Sequence, residues 1–468
     1  MLVLSHDSQV PLYTQLYSQI KGAILSGRFA ADSRLPSVRD LARQHLISRN
    51  TVENAYLELY AEGYIYSKER SGYFVSPLSP DDVLVSPPAR GAARETVQET
   101  QCLFDFHPAR LDAEAFPERI WRKCLLDALH RGSRDLNHYS EAQGEGTLRG
   151  EIRKYLEQSR GVVCDIDQIV VCGGLQHGLD IVAHLLKDSR PVVAVEDPGY
   201  HLARSVFANH SLEVLPLPVL DEGLDLRALQ DSRSTVAYVT PSHQFPMGCV
   251  MPIANRLKLL RWAREGGNFI IEDDYDSELR YHGRPIPSLQ GLDPDGNIVY
   301  SGTFSKVLSP ALRVSYLVLP HSLLPAYRRL FSDYAPSVSV LEQRALAQFM
   351  EQGHWERHVR RVRTLYRKKH DALLRALARH CGERASVIGQ GAGLHVVVQL
   401  HDTAVKEEEL VAAARHSGIK LFPFSTTCVN RKPEEGMVIL GFGGLSIDRI
   451  EEGVALLFQS QQKRISAE

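Results

Sequence analysis

Between Gln168 and Leu319, apolar runs of strand length alternate with helical patterns, and no other feature of the chain narrows its fold as much. The runs are QIVVC, PVVAVE, EVLPL, TVAYVT, NFIIED, NIVYSGT and RVSYLVL. Several are continuous in Val and Ile rather than alternating, as strands buried on both faces are. The pattern predicts an α/β body on a mainly parallel sheet of about seven strands. A long basic helical stretch from Trp355 to Leu377 then leads to three more strand candidates, GLHVVVQL, GIKLFP and GMVILGF, interleaved with helices. These make a smaller C-terminal α/β lobe.

The chain has 468 residues, more than one hydrophobic core usually serves, so a further unit is expected. It lies upstream. Apolar residues recur at helical spacing at Leu12, Leu16, Ile20, Ile24 and Leu25, and amphipathic segments follow from Ser37 to Leu46 and from Ser48 to Glu62. Ser37 and Ser48 suit N-caps and Gly63 a C-cap. YIYSKERSGYFV then reads as a hairpin around a charged turn. Three helices and a hairpin outline a winged helix-turn-helix. Past Ser76 the text turns Pro- and Ser-rich without periodicity. The expected division is residues 1–76 for the DNA-binding unit, 77–103 for a linker and 104–468 for the body.

With 54 basic and 56 acidic residues the net charge is −2, so any nucleic-acid site must be local. Arg34, Arg39, Arg43 and Arg49 face only Asp40 in the stretch around the turn. In helix-turn-helix geometry the start of the recognition helix enters the major groove, where Arg reads guanine and Ser, Asn and Thr reach bases or phosphates. Ser48, Arg49, Asn50 and Thr51 supply that set, and Lys68, Arg70, Ser71 and Gly72 at the hairpin tip suit the backbone or minor groove. The whole string from LPSVRDLARQ to SGYFV resembles the GntR family of bacterial winged-helix regulators. The resemblance implies DNA contacts at Arg39, Ser48, Arg49, Thr51 and Gly72. Glu53 departs from family members that carry a basic residue there.

In GTFSKVLSPALR a lysine stands among small hydroxyl residues with an arginine seven positions later. This suits an aldehyde cofactor bearing a phosphate, Lys306 forming a Schiff base while Ser305 and Arg313 hold the anion. Lysines near serines are common, so the reading needs partners. IIEDDYDSELRY offers Asp273 to keep a pyridine nitrogen protonated and Tyr275 to bond the ring's phenolic oxygen. VVCGGLQHGLDIVAHLL reads as strand, glycine turn and helix, so Gly174, Leu175 and Gln176 can cradle phosphate at a helix N-terminus. In EDPGYH, Tyr200 follows another strand, where its ring can stack on a planar cofactor.

Together these motifs resemble the class I/II aminotransferases of fold type I, which are pyridoxal-phosphate enzymes, from about Phe104 to the end of the chain. The resemblance implies a homodimer, with Tyr139 of HYSEAQGEGTLRG reaching the phosphate of the neighbouring subunit. A GntR head on such a body, with TPSHQFPMGCVMP and IEDDYDSELRY, resembles the MocR (GabR-type) transcription regulators. That implies operator DNA as partner, and pyridoxal phosphate, with an amine or amino-acid ligand bound as an aldimine, as the sensed matter.

Two departures bear on catalysis. Phe245 occupies the place of an asparagine that bonds the phenolic oxygen, leaving Tyr275 with His243 nearby. Ile439 occupies the place of an arginine that clamps a substrate carboxylate, with Arg431 as a substitute in the preceding loop. Ordinary amino-acid turnover is therefore expected to be poor, the rival being an active aminotransferase with a DNA-binding appendage. No stretch approaches the ~20 apolar residues of a membrane span, and the start turns polar too soon for a signal peptide, so a cytoplasmic protein is expected. Seven cysteines without a CxxC pair read as reduced, mostly buried thiols. His354, His358 and His370 lack acidic or cysteine partners at ligand spacing, so no metal is assigned. The basic tract around them reads as an amphipathic helix with a solvated face.

Overall fold

The computed structural model describes residues 4, 10–68, 71–77, 102–131, 135–281, 286–401, 406–430 and 436–465. The chain divides into two compact units, Met1–Gln98 and Glu99–Glu468.

In the first unit α1 (Leu12–Leu25), α2 (Val38–His45) and α3 (Arg49–Ala61) precede a hairpin of β1 (Ile65–Lys68) and β2 (Gly72–Val75). Their apolar stripes converge: Leu16, Ile20 and Ile24 of α1 meet Leu41 of α2 and Val52, Tyr56 and Leu59 of α3, with Ile65 and Val75 closing the core. The two serines cap as their sequence context predicts. Ser37 accepts from the Asp40 N–H at 3.2 Å and Ser48 from the Thr51 N–H at 3.1 Å, each satisfying one orphan donor of a helix start. Between α2 and α3 the chain turns through Leu46, which is left-handed at φ 54° and 88% exposed.

In the second unit the strands are β3 (Phe104–Asp105), β4 (Ile169–Cys172), β5 (Val192–Asp197), β6 (Glu213–Leu220), β7 (Gly223–Leu224), β8 (Val236–Val239), β9 (Phe269–Asp274), β10 (Ile298–Thr303) and β11 (Ser315–Val318). They continue with β12 (Ala385–Ile388), β13 (His395–Leu400), β14 (Ile419–Lys420), β15 (Phe422–Pro423) and β16 (Met437–Gly441). The large sheet has the order β4-β11-β10-β9-β8-β5-β6-β7. It contains all seven expected strands plus the two-residue β7. The run from β10 through β9, β8 and β5 to β6 is parallel, while β11 is antiparallel to both its neighbours. Strands β4, β8 and β11 are buried throughout, and β5, β9 and β10 at all but one residue each, as their unbroken apolar text requires.

The smaller lobe carries an antiparallel sheet of order β12-β13-β16-β15. It differs from the expected three strands in two ways. Ala385–Ile388 adds a strand, and the GIKLFP run splits, Ile419–Lys420 pairing in parallel with Phe104–Asp105 while Phe422–Pro423 pairs with β16. The beginning of the body is thereby sewn into its last lobe.

The basic tract lies on one long helix, His354–Cys381, with Trp355, Val359, Val362 and Tyr366 buried. Its face is not wholly solvated, because Lys369 falls on the inner stripe with Val362 and Tyr366. There it is ion-paired to Asp112 and donates to the Gly443 carbonyl at 2.8 Å. A lysine is tolerated inside because both partners are supplied. Of the seven cysteines, all unpaired, only Cys124, Cys172 and Cys381 are buried, fewer than expected. Among the described residues no helix is long and apolar enough to cross a membrane.

Candidate functional site

A parallel sheet presents the carboxyl ends of its strands along one edge, where loops can converge on a ligand. Here that edge opens on a cavity of about 320 Å³. The end of β9 brings Asp273, and the segments after β5, β8, β9 and β10 bring Tyr200 and His201, Thr240, Tyr275, and Ser305 and Lys306 to its walls. Leu175 and Arg313 enter from one side, and His107, Pro108 and Phe422 from the other.

Asp273 is 4% exposed and accepts a hydrogen bond from the Tyr238 hydroxyl. Burial pushes its pKa up to about 7, against the pull of the Tyr238 bond and with repulsion from Asp274, Asp276 and Glu196 adding to the rise. Asp274, adjacent in sequence, points elsewhere. It binds Arg160 Nε at 2.6 Å and the Tyr300 hydroxyl at 2.6 Å. Burial works against its ionisation, yet Arg160 and these hydrogen bonds hold its pKa below the usual value. Two neighbouring carboxyls thus have opposite duties, one in a salt bridge and one facing the cavity.

Since the unfolded Asp273 has a pKa near 3.9, the folded state holds its proton across a window in which the unfolded state has lost it. Its contribution is complete below about pH 4 and disappears as pH rises through about 7. Asp273→Asn is therefore expected to gain stability relative to the cofactor-free wild type between those values and to hold that gain above. Urea unfolding at a series of pH values measures this; a difference independent of pH would contradict it.

Lys306 Nζ lies 3.5 Å from the Pro108 carbonyl and 5.9 Å from the centre of the Tyr275 ring. Burial pushes its pKa down while Asp276 and Asp273 pull it up, so the amine is shifted toward its neutral, nucleophilic form. At the far wall Gly174, with φ +92°, is the residue before the helix Leu175–Leu186. A Cβ there would stand 2.3 Å from Arg313 Nη2, so only glycine lets that guanidinium lie against the helix start. Arg313 also donates to the Gly173 carbonyl at 3.3 Å. Helix N–H groups and a guanidinium together suit an anion.

Tyr200 lines the cavity edge-on to Phe245, ring centres 5.9 Å apart, and burial pushes its hydroxyl pKa up to about 12. Lys306, Asp273, Tyr275, Arg313, Ser305, Leu175 and Tyr200 thus share one cavity, with Gly174 at its edge. Three other candidates stand apart. His243 is buried behind Tyr275 rather than on the wall, Gln176 is exposed on the helix, and Tyr139 is 92% exposed and does not line this cavity.

Ile439 is not a wall residue either. Its fully buried side chain packs with Val397, Phe424 and Met437, and Phe245 and Phe422 cover that cluster. An arginine placed there would meet hydrocarbon, not ligand. Arg431 lies outside the described residues. Among the described residues lining the cavity, Arg313 is the one guanidinium.

Sequence reading missed His107 and Phe422, whose rings meet at 5.0 Å from opposite ends of the body. No local motif links such distant positions. It also missed Glu196, fully buried, which accepts from the Thr240 hydroxyl at 2.5 Å and from Gln244 at 3.2 Å and is pushed up to about 7 by burial. Asp276, one residue beyond Tyr275, was readable as a further acid in the same motif.

On the first unit Arg39, Ser48, Arg49 and Asn50 are exposed around the start of α3, with Thr51 partly so. Ser48 and Thr51 share a hydroxyl contact of 2.8 Å besides the cap bond. Arg34 lies along the hairpin, its Nε 3.7 Å from where a Cβ on Gly72 would stand. Lys68 Nζ rests 4.6 Å from the centre of the Phe74 ring. Arg70 lies outside the described residues.

Residues 12–75 match the family of bacterial regulatory proteins described as the gntR family, and residues 111–438 match aminotransferase class I and II. The body is similar in fold to the kynurenine aminotransferase of Pyrococcus horikoshii, solved in complex with PMP. The TM-score is 0.69 and the identity 25%, over 78% of this chain and 92% of that one. Over its length the chain is 39% identical to the uncharacterized HTH-type transcriptional regulator YdeL of Bacillus subtilis (strain 168), covering 97% of each. It is 36% identical to the probable rhizopine catabolism regulatory protein MocR of Rhizobium meliloti, over 97% of this chain and 94% of that protein. The chain belongs to the MocR-type transcriptional regulators. This regulator therefore joins a GntR winged helix-turn-helix to an aminotransferase-like body, and the cavity described above belongs to the body.

Proposed function

We propose that this regulator works in the cytoplasm as a homodimer, binds operator DNA through residues 1–76, and senses pyridoxal phosphate, alone or together with an amine or amino-acid effector, in the cavity of residues 104–468. The observation that carries the reading is that Lys306, Asp273, Tyr275 and Arg313, from separate segments, converge on one cavity at the carboxyl edge of the sheet. The residues fit the group. The cradle of Gly174 and Arg313 offers a place for a phosphate, and the carboxyl of Asp273, costly to ionise while alone, is stabilised as a carboxylate by a protonated ring nitrogen.

When bound, pyridoxal phosphate supplies an aldehyde that condenses with amines and a ring that withdraws electrons. The protein's part is positional. Arg313, Ser305 and the N–H groups at Leu175 and Gln176 hold the phosphate end, Tyr200 covers the ring, Asp273 holds the ring proton, and Lys306 presents its amine. Tyr139 stands ready for the partner subunit's site. The rival reading, a working aminotransferase with a DNA-binding appendage, is weakened by Ile439. Strand β16 turns it into an apolar cluster and leaves no clamp there for a substrate carboxylate.

The test is operator binding by the full chain as pyridoxal phosphate is titrated in, with and without amines. DNA affinity should change with the cofactor in wild type, and in Lys306→Ala only at higher cofactor concentration. An identical response in both proteins would overturn the sensing role of the cavity.

A further inference from the structure

We propose that the effector is an amine with an oxyanion at its other end, and that His107 is the specificity-determining residue that reads this end through its Nε2–H. The inference rests on the reading that the cavity takes pyridoxal phosphate and an amine, and it names the class of amine.

A guanidinium is the usual partner of a carboxylate. The cavity has none to spare among its described residues, because Arg313 lies against the helix start at the phosphate end and Ile439 faces hydrocarbon. The wall across from Arg313 is lined instead by His107, Pro108 and Phe422. It adjoins Lys306, whose Nζ lies 3.5 Å from the Pro108 carbonyl.

An imidazole can carry its proton on either nitrogen, and His107 has that choice removed. The Ala109 backbone N–H, which can only donate, reaches His107 Nδ1 at 3.1 Å, so Nδ1 is the bare acceptor. The neutral ring therefore holds its proton on Nε2. Protonating both nitrogens would break the Ala109 bond. Burial also holds the ring's pKa down, and of the charged groups near it Lys420, Lys306 and Arg110 oppose a charge while Asp105 alone invites one. Asp105 is itself ion-paired to Arg110 at 3.0 Å. Nε2 has no hydrogen-bond partner among the described residues and is not sealed from solvent. The result is a fixed donor in a surplus of positive charge, which suits an oxyanion and disfavours a second ammonium.

The loop that carries the ring is tied down at several points. The His107 N–H donates to Asp105 Oδ1 at 3.0 Å, and its carbonyl accepts from the Arg110 N–H at 3.1 Å. Beneath the loop runs β16, where a Cβ on Gly441 would stand 2.5 Å from Pro108 Cα and 2.6 Å from the His107 carbonyl oxygen. Only glycine lets the loop lie so close. The strand that turns Ile439 into hydrocarbon thus seats His107 two residues later, and Phe422 packs edge to face on the imidazole, ring centres 5.0 Å apart. His201, the other imidazole on the cavity wall, has its Nδ1 buried without a partner, so no hydrogen bond fixes its tautomer.

The test follows the visible band of the loaded, full-length protein to measure binding of ω-amino acids of several lengths, each against the n-alkylamine of equal length. The wild type should favour the acid of at least one length by about tenfold, the worth of one hydrogen bond to a charged group. Asparagine at His107 keeps only an acceptor for Ala109, whereas glutamine reaches the place of Nε2 and sets an N–H there. His107→Asn should therefore lose the preference while binding the alkylamine as before, and His107→Gln should keep most of it. His201→Asn should leave it unchanged. Absence of any preference in the wild type, equal loss in the Asn and Gln variants, or a preference that disappears with His201 would refute the proposal. If the wild type takes up no pyridoxal phosphate, the functional reading fails, and nitrogen NMR of His107 in the empty protein still decides the inference. A proton on Nε2 whose signal moves with the acids and not with the alkylamines supports it; a proton on Nδ1, or a signal that ignores the acids, refutes it.

Discussion

Lys306→Ala is expected to lose the visible absorbance that pyridoxal phosphate acquires on a lysine, and to lose it completely after dialysis. The amine is the one lysine lining the cavity among the described residues, and burial already holds it toward the neutral form that attacks an aldehyde. Without it the phosphate cradle and the ring contacts remain, so the variant should still bind the cofactor reversibly and more weakly. Its fold should survive. Lys306 Nζ makes one long contact, to the Pro108 carbonyl at 3.5 Å, and losing a partly desolvated amine costs the protein little. Borohydride reduction followed by peptide mapping supplies the decisive measurement. Cofactor trapped on another lysine in the variant would show that Lys306 is the wrong residue.

The second large effect concerns DNA. Removal of residues 1–76 should abolish operator binding while the cofactor spectrum of the body persists, because each unit has its own hydrophobic core. Within the first unit Arg49 is exposed at the first turn of α3, directly after the Ser48 cap. Its replacement by alanine should weaken binding by about 1–3 kcal/mol if it reads a base, with relaxed specificity at one position. If it meets a phosphate instead, the loss should be uniform across sequences and the salt dependence shallower. Gel shifts or fluorescence anisotropy at several salt concentrations separate the two. Retained operator binding by the truncated body would redirect attention to the basic helix His354–Cys381, whose exposed arginines include Arg360 and Arg367.

Much of this was legible in the sequence because it is local. A strand buried on both faces writes itself as an unbroken apolar run, a helix start as serine before a periodic stretch, and a left-handed turn as glycine. The seven strands, the caps at Ser37 and Ser48 and the glycine turn at Gly174 are of that kind. The motifs around Lys306, Asp273 and Tyr200 were legible for a related reason, since each stands at or just past the end of its strand and the carboxyl end of a strand is where a parallel sheet presents residues.

What the sequence by itself determined is therefore the order of the elements, the two kinds of unit and the membership of the cavity's main wall. The tertiary structure alone decided the rest. Only packing shows that Asp274 is spent on Arg160 while Asp273 faces the cavity, that Lys369 is inside its helix bundle, and that Ile439 looks into hydrocarbon. Only the fold brings His107 to Phe422 and sets His243 behind Tyr275. The physical reason is that a side chain's direction in a strand is set by the pleat and its register, and its charge by which neighbours have been desolvated with it. Both are properties of segments far apart in the chain, and no local spacing records them.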